Sequence, residues 1–299
     1  MPRIPSRSRP AIRNVASLEI RGQREARGKA VLVDPQRSQV SLFVDKKMLS
    51  YDFSKYMVID PPKPGYEFKP VPGKVLREIV RQGSRNIVFA GTGQTDNMWC
   101  TNSVVVADGE LIKRTAPGVK AGRFIPLDGR FPFLVFDREH PGLTHIPFSQ
   151  GEPQSAIKFK NGIFGPVLIE NGRSRIDHIK KAQPNVGPNE LLWDPKKNKA
   201  AMSAAGFTIN GDFIFISLAG NPDKRNESNL QDLVGQLRLF HTTHAILLGV
   251  SGDVQQYVRQ GQNKESWLIA RARADSGMPD KMFPDARPLS NAIIVEERN

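Results

Sequence analysis

Hydrophobic residues along most of the chain recur at the spacing of β-strands. Residues 29–44 (KAVLVDPQRSQVSLFV) predict a strand, a proline-containing turn and a second strand. Residues 86–91 (NIVFAG) predict another strand that runs into a glycine-rich loop, whereas residues 75–82 (VLREIVRQ) have the spacing of a short helix. The pattern therefore indicates a β-rich fold.

Three dipeptides that tolerate positive φ angles each separate two apolar runs, and they predict tight hairpins. The dipeptides are Asp108-Gly109 within 103–112, Asn171-Gly172 within 165–173 and Asn210-Gly211 within 207–218. For the first and the last we expect type I′ turns, in which both residues have φ above zero. The hairpins recur without a fixed period and helices are few. We therefore expect an α+β protein with a single mixed β-rich domain.

Residues 229–240 (NLQDLVGQLRLF) predict an amphipathic helix. The apolar positions follow i, i+3, i+4 spacing, and Ser228 with Gln231 predicts a capping box at the start.

A fully apolar segment follows this helix. Residues 245–250 (AILLGV) have the unbroken apolarity of a strand that is buried on both faces. Ligands of α/β proteins tend to bind just past the carboxyl ends of such strands. The sequence therefore predicts a site at residues 250–253, in which Asp253 is the candidate carboxylate.

Composition and charge narrow the class of protein. The chain has 299 residues, 39% of them hydrophobic, which is enough for a core. The net charge of +13 favours anionic partners without choosing among them. The single cysteine, Cys100, excludes an internal disulfide framework.

No apolar run approaches the roughly 18 residues of a membrane helix, and the amino-terminal segment lacks the apolar core of a secretory signal. We therefore expect a soluble protein with no membrane span.

Residues 1–28 form a basic amino-terminal arm in this interpretation, and residues 29–299 form the domain. The arm holds seven arginines against Glu19 and Glu25. Two readings stay open. The arm contacts nucleic acid or another polyanion through phosphates, or it is a solvated tail.

No metal or cofactor site is predicted. His241 and His244 have a spacing that can place two ligands together, but no third ligand of obvious spacing accompanies them. Neither a Walker loop nor a nucleophile elbow occurs, and the sequence leaves the cofactor unknown.

Taken in order, six segments resemble the phosphodiester glycosidase family, which includes the domain of the lysosomal uncovering enzyme and bacterial relatives. The resemblance spans about residues 29–299. The matching segments are 31–35 (VLVDP), 89–93 (FAGTG), 108–111 (DGEL), 165–172 (GPVLIENG), 201–206 (AMSAAG) and 287–295 (RPLSNAIIV).

The resemblance implies a phosphodiester-glycosidase-like fold and hydrolysis, or binding, of a sugar-1-phosphodiester. The ligand would be a phosphorylated glycan or another anionic molecule. Asp253 and Arg287 are the implied catalytic residues, with Arg287 able to clamp a phosphate. The implied substrate-binding residues are Gly91, Thr92, Gly93, Gly165, Ser251, Gly252 and Asn291.

The chain departs from the family pattern at three loops. Met202 stands where the family has arginine, Gly249 where it has aspartate and Asp253 where it has serine. The glycine-rich loop at 90–93 also differs from the family's Asn-Gly-Gly-aromatic sequence. Two hypotheses result. The protein is a hydrolase of altered substrate, or it is a catalytically inactive member that serves as a structural or assembly protein with a basic arm. We expect weak or absent cleavage of simple sugar-1-phosphodiesters.

Overall fold

The computed structural model describes residues 15–21, 27–46, 74–81, 87–91, 104–113, 130–149, 152–177, 200–219, 228–250, 254–260, 264–269 and 289–297. Two helices, α1 (Leu76–Arg81) and α2 (Leu230–Leu239), lie within these residues. The strands are β1 (Val15–Arg21), β2 (Arg27–Val33), β3 (Ser38–Val44), β4 (Ile87–Ala90), β5 (Val104–Ala107), β6 (Glu110–Lys113), β7 (Arg130–Val135), β8 (Gly142–Ser149), β9 (Glu152–Pro153), β10 (Gly162–Phe164), β11 (Val167–Glu170), β12 (Arg173–Ser174), β13 (Met202–Thr208), β14 (Phe213–Ala219), β15 (Thr242–Val250), β16 (Gln255–Gln260), β17 (Lys264–Ile269) and β18 (Asn291–Glu297). The mixed β-rich fold with few helices that the sequence predicts is confirmed.

The strands form three sheets. The seven-stranded sheet has the order β1-β2-β14-β13-β15-β11-β12, the six-stranded sheet β6-β5-β10-β7-β8-β9 and the five-stranded sheet β17-β16-β4-β18-β3. Every strand pairing among the described residues is antiparallel.

The seven-stranded sheet is the central layer. Apolar side chains on its inner face, such as Phe215 and Ile246, share one core cluster with Phe89 of the five-stranded sheet and Ile163 of the six-stranded sheet. On its outer face, α2 packs into a second cluster. Helix α1 covers the outer face of the five-stranded sheet. Burial of apolar surface between these layers is the main stabilising term.

Strand β15 has both faces in the core, as its apolar sequence predicts. Ala245 and Leu247 pack into the cluster beneath α2, whereas Ile246 and Leu248 pack into the cluster between the sheets. Its neighbours β13 and β11 are antiparallel to it, however. The rule that ligands bind at carboxyl ends belongs to parallel α/β sheets, so it no longer supports a site at residues 250–253.

The glycine turns follow the prediction in part. Asp108 and Gly109 have φ angles of 51° and 83°, as a type I′ turn requires. The type I′ prediction at Asn210-Gly211 is wrong. Gly211 has φ of 85°, but Asn210 is not among the described residues with positive φ, and the amide of Gly211 donates to Thr208 O at 3.0 Å. This is a three-residue loop in which glycine supplies the left-handed position after an ordinary turn.

The capping box of α2 lies one residue later than Ser228 and Gln231 predict. The side chain of Asn229 accepts from the amide of Asp232, and the carboxylate of Asp232 accepts from the amide of Asn229. Asparagine and aspartate satisfy the free amides of the first turn as well as serine and glutamine do. Both signals adjoin in the sequence, so spacing alone does not choose between them.

The second half of the basic segment takes part in the sheet. Strand β1 pairs along its length with β2, and β2 pairs with β14. Residues 1–14 and 22–26 lie outside the described residues. The polyanion contact of the arm and its boundary at residue 28 stay predictions.

Candidate functional site

Most residues of the predicted site lie outside the described part of the chain. These are Asp253, Arg287, Thr92, Gly93, Ser251 and Gly252. Gly91, Gly165 and Asn291 are described, and all three are buried. Their role in ligand binding stays a prediction.

Gly91 and Asn291 lie side by side at one end of the five-stranded sheet. The amide of Gly91 donates to Asn291 O at 3.1 Å. A Cβ atom on Gly91 would overlap Asn291 Oδ1 and lie 2.9 Å from Ile163 Cδ1, so any other residue there requires these two buried side chains to shift. Gly165 follows Ile163 by two residues, after the end of β10. The side chain of Asn291 is fully buried, and its Nδ2 donates to Ser290 Oγ at 3.1 Å.

This end of the five-stranded sheet lies near the end of β15. Val250 closes β15, and Val254 precedes β16, in which Gln256 pairs with Phe89 of β4. Only three residues separate Val250 from Val254, so their Cα atoms are at most about 14 Å apart. The carboxyl end of β15 and the Gly91 end of β4 therefore share one end of the molecule.

Gln256 places a buried amide on the inner face at this end. It pairs with Phe89, and paired residues of antiparallel strands point to the same face, so its side chain faces the core between the sheets. The residue is 0% exposed. Neither its Oε1 nor its Nε2 has a hydrogen-bond partner among the described residues. An unmade hydrogen bond of a buried polar group costs about 1–3 kcal/mol.

Two serines of the seven-stranded sheet belong to the same inner face. Ser217 lies two residues beyond Phe215, whose ring stacks on Phe89 with centroids 4.4 Å apart. Ser217 is fully buried, and its Oγ has no hydrogen-bond partner within the described ranges. Its neighbour Ser203 accepts from the amide of Gly249 at 3.2 Å. We call Gln256, Ser217, Ser203 and Asn291 the inter-sheet polar patch.

Sequence reasoning missed Gln256 and Ser217. Glutamine and serine carry no motif of their own. The available signal was a polar residue at a core-facing strand position: residues 213–219 read FIFISLA, with Ser217 alone among apolar residues, whereas residues 255–258 read QQYV, in which Gln256 follows a second glutamine. Such a position becomes informative only once the register shows which face is buried.

Two of the departures from the family pattern are buried in apolar or backbone contacts. Met202, for which the sequence resemblance predicts arginine, is 0% exposed and packs into the cluster under α2. Gly249, for which it predicts aspartate, lies within β15 and donates its amide to Ser203 Oγ. Neither position presents a charge to the predicted site.

The opposite end of the seven-stranded sheet carries a charged network, which we call the Glu170 cluster: His145, Glu170, Arg175 and His244. Glu170 accepts from Arg175 Nε at 2.9 Å and from its terminal nitrogen at 2.6 Å. His145 Nε2 lies 3.0 Å from the other carboxylate oxygen. His244 Nε2 lies 3.2 Å from Asn171 Oδ1. The cluster ties β8 of the six-stranded sheet to β11 of the seven-stranded sheet.

The electrostatics of this cluster follow from these contacts. Burial alone would raise the pKa of Glu170, but hydrogen bonds from Arg175 and His145 hold that pKa below its ordinary value. Burial lowers the pKa of His244; the Glu170 carboxylate opposes this effect and His145 reinforces it. His244 is therefore neutral near pH 7, and Glu170 is ionised.

His241 and His244 do not converge on a ligand. His241 is exposed with φ of 53°, whereas His244 bonds to Asn171. Across the described part of the chain, no group of three or more histidine, cysteine or acidic residues has the geometry to hold a metal ion. In the same residues, neither helix is long and apolar enough to cross a membrane.

Solved structures provide the comparison with known proteins. The catalytic domain of zebrafish N-acetylglucosamine-1-phosphodiester α-N-acetylglucosaminidase, auto-inhibited by its pro-peptide, is similar in fold, with a TM-score of 0.61 and 14% identity over 95% of this chain and 83% of that one. This similarity shows a distant phosphodiester-glycosidase-like fold. A hypothetical protein from Synechocystis matches with a TM-score of 0.49 and 12% identity over 95% of this chain and 62% of that one. A protein from Burkholderia pseudomallei matches with a TM-score of 0.49 and 9% identity over 91% of this chain and 74% of that one.

Comparisons of the sequence find no relative. No protein-family model matches the chain, and no curated protein does.

Proposed function

We propose that the protein binds a sugar-1-phosphodiester at the end of the molecule where Gly91, Asn291 and the inter-sheet polar patch lie. The observation that supports this most is Gln256, a fully buried amide without a hydrogen-bond partner among the described residues. Native proteins rarely keep such a group without a bound partner that satisfies it. In this fold, the zebrafish relative is named for acting on an N-acetylglucosamine-1-phosphodiester, and the proposal extends that substrate class to this chain.

The patch has the donors and acceptors that a sugar requires. The amide of Gln256 offers two donors and one acceptor, and the hydroxyl of Ser217 offers both functions. Sugar hydroxyls pair with groups of this kind. In the proposal, Arg287 binds the phosphate through its planar guanidinium, and Asp253 supplies the acid or base. Both lie outside the described residues.

Weak or absent cleavage forms part of the proposal. The family arginine and aspartate are replaced by Met202 and Gly249, and Met202 packs into an apolar cluster. Preorganised charges that stabilise the transition state usually give the largest share of catalysis. Losing them is expected to reduce turnover more than binding.

Met202 and Gly249 also favour the alternative, an inactive family member that serves as a structural or assembly protein. Under that alternative the protein binds no sugar-1-phosphodiester, and the unpartnered atoms of the patch are satisfied by internal water.

The test is titration calorimetry with an α-N-acetylglucosamine-1-phosphodiester, together with an assay for released free sugar. We expect measurable binding, weakened by Arg287→Ala and Asp253→Asn, with little or no turnover. Arg173→Ala is the matched control, because it removes an exposed arginine near the opposite end of the sheet.

Absence of binding by the intact protein would contradict the proposal and support the inactive scaffold. Binding that neither Arg287→Ala nor Asp253→Asn changes would reject the choice of site. Rapid turnover would overturn the expectation of weak catalysis.

A further inference from the structure

Two large apolar side chains are exposed at the end of the seven-stranded sheet that carries the Glu170 cluster. Ile209, in the turn between β13 and β14, is 72% exposed, and Leu239, the last residue of α2, is 65% exposed. Among the large apolar residues that the structure describes, the next most exposed is Trp267 at 38%. The amide of Ile209 donates at 2.9 Å to the carbonyl oxygen of His241, two residues beyond Leu239. We call Ile209 and Leu239 the apolar tip.

The core does not use either side chain of the apolar tip. Helix α2 packs on the core through Leu230, Leu233, Val234 and Leu237. Leu239 lies nine residues after Leu230, half a rotation away around the helix, so it points to the opposite side. Ile209 occupies a turn position, where polar residues and glycine are usual. Contiguous exposed apolar side chains mark sites of contact with proteins or membranes.

The amino-terminal segment begins at the same end of the sheet. Val15, the first residue of β1, pairs with Val33, and Val33 pairs with Phe213 at the base of the turn that holds Ile209. Two strand spacings, about 10 Å, therefore separate Val15 from the base of that turn. Residues 1–14 thus join the fold beside the apolar tip.

The positive charge near the tip comes from this segment. Residues 1–14 contain four arginines and no acidic residue. The tip itself is close to neutral, because Arg238 precedes Leu239 and Asp212 follows the turn of Ile209 by three residues. An anionic partner is therefore attracted by residues 1–14 and meets the apolar tip next to them.

The surface of an anionic membrane fits both features. Apolar side chains enter the boundary between head groups and acyl chains, and nearby arginines are attracted to anionic head groups. Stable attachment to a bilayer usually takes two such signals. A soluble polyanion offers charge without an apolar phase, and a protein partner needs roughly 800 Å² per side, far more than two side chains provide.

We propose that the apolar tip inserts into the surface of an anionic membrane and that residues 1–14 hold it there by charge. His241 directly precedes β15, whose last residue, Val250, lies at the candidate site. Attachment through the tip therefore leaves the candidate site facing away from the bilayer, open to a ligand in water.

The experiment measures co-sedimentation of the full chain with vesicles made of equal parts phosphatidylserine and phosphatidylcholine, and with vesicles of phosphatidylcholine alone. We expect binding to the anionic vesicles that weakens as salt rises. Ile209→Ser with Leu239→Ser should weaken it at least about 10-fold, the change expected when one aliphatic side chain stays in water. No binding to anionic vesicles, or equal binding to neutral ones, would overturn the proposal.

Heparin, a soluble polyanion, separates insertion from attraction by charge. Elution from heparin should be the same for the double serine variant and the unaltered chain, because serine removes no charge. Deleting residues 1–14 should weaken binding to anionic vesicles at least about 5-fold, which corresponds to loss of one arginine at the membrane surface. Unchanged vesicle binding in the double serine variant would assign the contact to charge alone, and unchanged binding after the deletion would reject the role of residues 1–14.

Trp267→Ser is the matched control, because it removes an exposed apolar side chain from β17 of the five-stranded sheet. It should change vesicle binding less than 2-fold, and a loss equal to that of the double serine variant would overturn the choice of surface. Thermal melts show whether each variant is folded. Ile209→Ala with Leu239→Ala removes most of the same apolar area and keeps the test valid if the double serine variant unfolds.

Discussion

The polar side chains at the two ends of the seven-stranded sheet differ in burial and in hydrogen bonding. In the Glu170 cluster, both oxygens of the carboxylate have partners and the side chains remain partly exposed. In the inter-sheet polar patch, Gln256 and Ser217 are fully buried, and their polar atoms have no hydrogen-bond partners among the described residues. The hydrogen-bonded side chains of the Glu170 cluster can be explained by their contribution to the stability of the fold. An unsatisfied buried amide opposes folding and is therefore better evidence for a ligand.

The largest expected effect is that of Gly91→Ala, which breaks the patch. The added Cβ would overlap Asn291 Oδ1, and both residues are buried. Overpacking of this kind typically costs about 1–3 kcal/mol. We expect a lower urea midpoint and loss of sugar-phosphodiester binding.

Gly211→Ala serves as the control for Gly91→Ala, because nothing lies within 4 Å of a Cβ at that position. The positive φ of Gly211 makes alanine destabilising there through the backbone alone. This control should retain binding. Unchanged stability in Gly91→Ala would show that the side chains of Asn291 and Ile163 make room for the methyl group without cost, which contradicts the tight packing inferred here.

Glu170→Gln changes the opposite end. The substitution removes the negative charge that Arg175 and His145 contact, so the two charge-assisted bonds from Arg175 to one carboxylate oxygen become weaker. A partly exposed ion pair contributes at most about 1 kcal/mol. We expect a loss of that size in denaturant unfolding, with no change in ligand affinity. A large fall in affinity would mean that the two ends are coupled, and the contrast between them would fail.

The sequence predicts what depends on local pattern. The burial of β15 on both faces follows from its unbroken apolar residues, and the Asp108-Gly109 turn follows from the φ preferences of its residues. The cap of α2 is misplaced by one residue because two capping signals adjoin.

The inter-sheet polar patch could not be predicted in the same way. Gln256 and Ser217 lie in strands of different sheets, and only strand register shows that both face the same core. The pairing of β1 with β2 also escapes local reasoning, because the arginines of residues 1–28 suggest a solvated arm. The positive charge of residues 1–28 indicates attraction to anions, whereas the pairing of β1 depends on a partner strand that local sequence does not identify.

A fall in pH tests the Glu170 cluster, and the change in folding stability that we expect is smaller than those of the substitutions above. The folded-state pKa of His244 lies below its ordinary value, so the unfolded chain takes up the proton first as pH falls. Stability should therefore be complete above about pH 6.5 and decline below it. Glu170 adds a loss of the same sign only at lower pH, below the ordinary range of carboxyl groups.

The measurement is the urea midpoint between pH 7.5 and 5.5. His145 and Glu170 are the titratable groups that act on His244. His244→Gln should flatten the dependence. An identical slope in this variant would assign the effect to another group.

Gln256→Leu tests the central claim most directly, because the account predicts that this substitution raises stability and lowers ligand affinity. Replacing an unsatisfied buried amide with an apolar side chain should raise the free energy of unfolding by about 1–3 kcal/mol. The affinity for the sugar-1-phosphodiester should fall about 5- to 150-fold, which corresponds to the same free energy. Thr242→Val is the matched control at the opposite end of the sheet. Thr242 is buried and donates to Leu237 O at 2.6 Å, so its loss should lower stability and leave affinity unchanged. Greater stability with weaker binding in Gln256→Leu is the result that we predict. Lower stability with unchanged binding would show that Gln256 serves the fold alone and would contradict the account.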